Sequence, residues 1–126
     1  PTLEHDNARR PEIAAAYTNQ FCRLAVNTPP VCADRQSVYH QYVIETPHRD
    51  DLRQFLGANG IGTGIYYPAP LHGHQAWLAR GMPSYSLPES ERYASENIAL
   101  PMFAELTNGE VEYVISAVKD YFSARD

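Results

Sequence analysis

Lysine is almost missing from this 126-residue chain: among its ten basic residues only Lys119 is one. Chemistry that needs a side-chain amine, as an imine partner or a proton carrier, therefore has a single candidate. Cysteine is nearly as scarce, and Cys22 and Cys32 are too few for a disulfide-stapled scaffold. Reduced thiols are the expectation, from redox compartment rather than geometry. Positive charge is also in deficit, with ten Lys and Arg against fifteen Asp and Glu and a formal net charge of −5. That balance argues against a nucleic-acid partner, whose phosphate backbone selects basic surfaces. No apolar run approaches the roughly 20 residues that span a bilayer. The N-terminus lacks the basic and apolar regions of a signal peptide, so an unprocessed cytoplasmic protein without a membrane partner is expected.

What is present is 44% apolar residues, in a length that suits one domain with a modest core. Asp6 to Leu24 reads as an amphipathic helix, with Ile13, Ala16, Tyr17, Phe21 and Leu24 at helical spacing. Pro11 is expected in its first turn or at a break, because proline donates no backbone hydrogen bond. Asn27 to Arg35 reads as an irregular connector. Ser37 to Glu45 predicts a strand with Val38, His40, Tyr42 and Ile44 on one face and Tyr39, Gln41 and Val43 on the other. The polar aromatic run Tyr39 to Tyr42 is costly to bury without partners, so contact with another domain is expected there. A helix follows Thr46 and Pro47, with Asp50 and Asp51 in its first turn and Leu52, Phe55 and Leu56 as its stripe. Gly60 fits the left-handed position that ends it, with Ile61 folding back onto Leu56.

Thr63 to Tyr67 predicts a second strand, halted by Pro68, so strand, helix and strand would form one unit. A short helix around Gln75 to Leu78 and a helix opened by Pro88 come next, while Ala99 to Met102 is too short to assign. Thr107 and Glu110 form a capping-box pattern before a stripe of Val111, Val114, Ile115, Val118 and Phe122. Together these elements predict an α+β fold, a small sheet covered by helices.

The densest polar and aromatic stretch runs from Ile61 to Gln75. Two readings stand for it. Tyr66, Tyr67, His72 and His74 line a pocket for a sugar or a base, or the tyrosines of a proline-ordered loop close a core. His72 and His74 alone are a poor metal site, because no third ligand is near in sequence. Gly57, Gly60, Gly62 and Gly64 follow a helix, the wrong order for a phosphate-binding loop. Neither Ser84, Ser86 nor Ser90 lies in a nucleophile elbow, and neither cysteine has an activating neighbour, so no covalent nucleophile is assigned. Glu89, Glu91 and Arg92 read as a solvated helix face.

Several segments, taken in order, resemble the C-terminal portion of the DegT-type (DegT/StrS) sugar aminotransferases. They are Asn7-Ala8-Arg9-Arg10, Ile13 to Tyr17, Val38 to Ile44, Arg49 to Leu52, Gly60 to Thr63, Tyr67-Pro68-Ala69-Pro70-Leu71-His72 with Gln75, Leu87 to Glu91, and Ala99 to Met102. The chain departs from the family pattern at Tyr66, where many members carry histidine, and at Ala104, where proline is common.

The resemblance implies the small domain of a fold-type-I, aspartate-aminotransferase-like enzyme that uses pyridoxal phosphate. Residues 1–25 would be the helix linking it to a missing N-terminal large domain, and residues 36–126 its sheet and covering helices. The intact enzyme would be a homodimer in deoxyamino-sugar biosynthesis, moving an amino group from glutamate to a keto sugar on a nucleotide carrier. Tyr66, Tyr67 and His72 would contact the sugar. The family's catalytic lysine and most phosphate ligands belong to the large domain, so no catalytic residue, no metal and no cofactor is expected in this chain alone. Lys119 is a poor substitute, about 80° around its helix from the apolar stripe. The first residue, Pro1, fits a fragment better than a natural start. The alternatives are a stand-alone, non-catalytic sugar-nucleotide-binding module and a piece that complements a separately encoded subunit. Loss of the large domain from a fragment is expected to expose an apolar face on the N-terminal helix and on the Tyr39 to Tyr42 strand.

Overall fold

A computed structural model describes residues 3–30 and 34–125; Cys32 lies outside them, and Cys22 is an exposed free thiol. Helix α1 (Leu3–Phe21) runs unbroken through Pro11, contrary to the expectation of a first-turn proline or a break. Pro11 forfeits the hydrogen bond to the residue 7 carbonyl, at a cost of about 3 kcal/mol. Burial of Ile13, Ala14, Tyr17 and Phe21 just beyond it offsets that loss.

Strand β1 is shorter than its sequence suggests, covering only Tyr42–Glu45. Tyr39 adopts a left-handed backbone conformation, φ 44°, and its N–H bonds to Ser37 Oγ, so residues 37–41 leave the extended path that alternation predicts. Tyr42 and Ile44 still point inward together. The Tyr42 hydroxyl pairs with Thr18 Oγ1 of α1 at 2.8 Å, and its ring packs on Tyr17. Tyr42 thus has its partners within this domain, while His40 and Gln41 of the same run stay exposed. Burial pushes the Tyr42 phenol up to about 12.

Helix α2 (Arg49–Ala58) ends as its sequence predicts. Gly60 has φ +73°, its N–H reaches Gly57 O, and the Ile61 N–H reaches Leu56 O at 2.9 Å. These two bonds are the Schellman pair, and Ile61 and Leu56 share the core. The 63–67 strand does not form. A single antiparallel bridge joins Gly64 to Ala99, and the next backbone groups turn to a side chain, Asn97, instead of a ladder. The short helix α3 (Gln75–Leu78) and α4 (Pro88–Glu96), with proline in its first turn, lie where expected.

Strand β2 (Asn97–Leu100) follows α4 without a loop and pairs antiparallel with β1, placing Tyr42 opposite Leu100 and Glu45 opposite Asn97. The strand–helix–strand unit is therefore closed by 97–100, not by 63–67. Helix α5 (Asn108–Ser123) carries the complete Thr107–Glu110 capping box. It packs against α1 and α2, with Val111, Val114, Val118 and Phe122 buried and Ile115 half-buried. Arg9 of α1 bonds to Leu106 O and Asn108 Oδ1, tying the two ends of the chain together. The result is α+β: a two-stranded antiparallel sheet under helices, with one core. No helix among the described residues is long and apolar enough to cross a membrane.

Candidate functional site

The 66–75 stretch and α4 face each other across an open groove of about 850 Å³, within the size range of small-molecule sites. One wall is Tyr66 to Pro70 followed by a single 3₁₀ turn (Leu71–Gly73); the other is formed by Leu87, Glu89, Ser90, Tyr93 and Ala94. Tyr66, Tyr67 and His72 line this one groove. Tyr67 is 73% exposed and Tyr66 41%, so these tyrosines do not close this domain's core. The Tyr66–Tyr67 peptide bond is cis. Tyr66 also borders a smaller cavity of about 390 Å³ with His40, Gln41, Thr63 and Met102.

The His72 side chain is 11% exposed and bonded to α4. Its Nε2 lies 3.1 Å from Glu91 Oε1, and the same oxygen accepts the Leu87 N–H at 2.9 Å. Glu91 thus joins the 3₁₀ turn to the start of α4. The Leu87 N–H, and then His72, hold its carboxyl below the usual glutamate range. Arg92, on the next position of α4, donates to Glu45, Glu89 and Glu96 and so fastens α4 to β1. The solvated face read from sequence is therefore partly a tether. Trp77 Nε1 donates to Pro83 O at 3.0 Å and its ring packs beside Tyr85, which orders the segment leading into α4.

His74 spends its Nδ1 on the Ala76 N–H. Among the described residues no group of three or more His, Cys, Asp or Glu is placed to hold a metal. Lys119 stands exposed on α5 with its Nζ 3.3 Å from Gln20 Oε1, and it lines neither cavity. Among the described residues the large exposed apolar side chains are Tyr66, Tyr67, Leu71, Leu78, Met82, Tyr85 and Leu87, with Leu3, Val38, Phe103 and Tyr113 elsewhere. Helix α1 spends Ile13, Tyr17 and Phe21 on this domain's own core, so of the apolar face expected on α1 and on residues 39–42 only Leu3 on the helix and Val38 beside the strand are large and exposed.

Sequence reasoning found one wall and missed the other. Tyr93 and Ser90 approach only through the packing of α4, some twenty residues on. Their one sequence signal was the Pro88 helix start, which places Ser90, Tyr93 and Ala94 three or four apart on one face.

The profile of the DegT/DnrJ/EryC1/StrS aminotransferase family matches residues 1–119. The chain is 37% identical over 125 residues to a pleiotropic regulatory protein of Geobacillus stearothermophilus, covering 97% of this chain and 34% of that protein. It is 33% identical over 120 residues to the dTDP-3-amino-3,4,6-trideoxy-alpha-D-glucose transaminase of Streptomyces venezuelae, covering 94% of this chain and 32% of that enzyme. The crystal structure of S. venezuelae DesV in complex with a ketimine intermediate superposes with a TM-score of 0.89 at 33% identity, covering 95% of this chain and 33% of that one. The chain thus spans about a third of the length of the curated relatives it matches.

Proposed function

Because the chain belongs to the DegT/DnrJ/EryC1/StrS aminotransferase family, we propose that it is the C-terminal small domain of a pyridoxal-phosphate-dependent transaminase. The intact enzyme would move an amino group from glutamate to a keto sugar on a nucleotide carrier, as a homodimer. In this reading α1 both links to the large domain and completes the core of the small one. The observation that carries the proposal is the groove itself: exposed tyrosine faces and a half-buried histidine on one wall, a helix on the other, and no other use for the apolar surface within the domain.

Pyridoxal phosphate supplies an electron sink when it is bound through a lysine imine. The residues present do not fit that anchorage, since the chain's one lysine is turned to solvent on α5 and bonded to Gln20. No transfer step is therefore routed through this chain, and alone it is inactive in this proposal. Its own contribution is to bind and orient the sugar. Tyr66 and Tyr67 offer flat faces and hydroxyls, while His72, tied to Glu91, is a fixed hydrogen-bonding group at the groove wall.

A chimera tests this directly. When this chain replaces the matched third of the S. venezuelae transaminase, glutamate-dependent formation of 2-oxoglutarate with that enzyme's dTDP-sugar substrate is expected. A folded, cofactor-loaded chimera without turnover would contradict the reading. A second reading is a stand-alone sugar-nucleotide-binding or subunit-complementing module. It predicts binding by the chain itself and no gain of activity in the chimera.

A further inference from the structure

Asn97 is a fully buried polar side chain that touches both walls of the groove. It is the first residue of β2, directly after α4. Its Oδ1 accepts the Tyr66 N–H at 2.8 Å. Its Nδ2 donates to Tyr93 O at 2.8 Å and to Tyr67 O at 3.3 Å. With Ala94 O at 3.5 Å from the same Nδ2, four main-chain groups, two from the tyrosine wall and two from the helix wall, meet on a single amide. Only an amide offers one acceptor and two donors in this compact shape. An aliphatic residue of the same size would strip these partners from the Tyr66 N–H and the Tyr67 carbonyl, while Tyr93 O would keep the backbone N–H of residue 97.

The clamp is itself held. Arg49, 8% exposed at the start of α2, donates from Nη1 to Ala94 O at 3.2 Å and to Asn97 O at 3.3 Å. Its cation thus sits on the closing carbonyls of α4, the favourable end of that helix dipole. Gly64 admits the Tyr66 ring from below, for a Cβ there would stand 2.7 Å from the ring edge. Asn97 fixes the Tyr66 backbone and Gly64 leaves room for its ring.

We propose that Asn97 is a positioning residue that holds the Tyr66–Tyr67 wall at a set distance from α4 and thereby fixes the shape of the groove. The consequence for ligand binding rests on reading the groove as the sugar-facing cleft. The test uses the ¹⁵N-labelled 126-residue chain, amide hydrogen exchange, and titration with dTDP-glucose as probe. In the wild type the Tyr66 N–H and the Asn97 side-chain amide protons exchange slowly, although Tyr66 itself is half open to solvent, and the probe shifts the Tyr66, Tyr67 and His72 resonances. Asn97→Leu speeds Tyr66 exchange by about tenfold or more and weakens the probe about tenfold, the worth of one buried hydrogen bond. The Ile44 N–H in β1 meanwhile remains protected. Gly64→Ala displaces the ring signals of Tyr66 but leaves its N–H slow.

Freely exchanging Asn97 side-chain protons in the wild type would overturn the proposal, and that measurement stands even if Asn97→Leu does not fold. Folded Asn97→Leu with unchanged Tyr66 exchange and unchanged probe affinity would overturn it as well. Loss of Tyr66 protection in Asn97→Leu, with no response of the wild-type groove to the probe, supports the clamp and overturns the cleft reading.

Discussion

The core and the groove rim are built from the same residue types by opposite means. In the core, Tyr17, Phe21, Tyr42, Ile44 and Val118 are completely buried, and area removed from water holds them. On the rim, Leu71 is 85% and Tyr67 73% exposed, and position comes from a few polar side chains bonded to main chain: Asn97, Glu91 and Trp77. The core closes without the rim, which leaves the rim's apolar surface exposed.

Substitutions in the core and on the rim should separate the two. The largest effect is expected at Tyr17, which stacks on Phe21 and donates to Pro101 O. Tyr17→Ala should cost about 3–5 kcal/mol in denaturant unfolding. Next is Arg49→Met, which strips the donors from the Ala94 and Asn97 carbonyls; about 1–3 kcal/mol is expected, together with faster Tyr66 amide exchange. Thr107→Ala removes the cap of α5 and should cost about 1 kcal/mol by the same unfolding measurement.

Smaller again is an acid-side slope. The Thr107 backbone N–H, then its hydroxyl, hold the Glu110 carboxyl below the usual range. A native value depressed below the unfolded one adds stability that is complete above the ordinary glutamate range and lost as pH falls through the native value. An acid titration of unfolding should therefore be flatter for Glu110→Gln than for wild type. The smallest stability change, within about 0.5 kcal/mol, belongs to Tyr67→Ala, which should nonetheless weaken binding of a nucleotide-sugar probe. If Tyr67→Ala unfolded the protein as Tyr17→Ala does, the division between core and rim would be wrong.

The elements legible in the sequence are those whose causes are local. The Thr107–Glu110 box, Gly60 with Ile61, and Pro88 at a helix start each act within one turn of chain, and each lies where expected. The reading failed where a distant partner decided the outcome. Residues 63–67 have strand composition, yet the Asn97 side chain takes the backbone groups a ladder would have used. Asn97–Leu100 is a strand with all four residues buried, so it shows no alternation, and it follows α4 without turn residues to announce it. Pro11 lies inside a helix because tertiary burial outweighs one lost hydrogen bond. At the site, Tyr66, Tyr67 and His72 stand close enough in sequence to be grouped, whereas Tyr93 and Asn97 reach the groove only through the fold.

In the proposed function this chain supplies a groove and not the cofactor's anchor. Incubating the purified chain with pyridoxal phosphate, reducing with borohydride and measuring intact mass with peptide mapping decides the point. No stoichiometric adduct is expected. A one-to-one adduct on Lys119 would mean instead that α5 carries cofactor chemistry of its own.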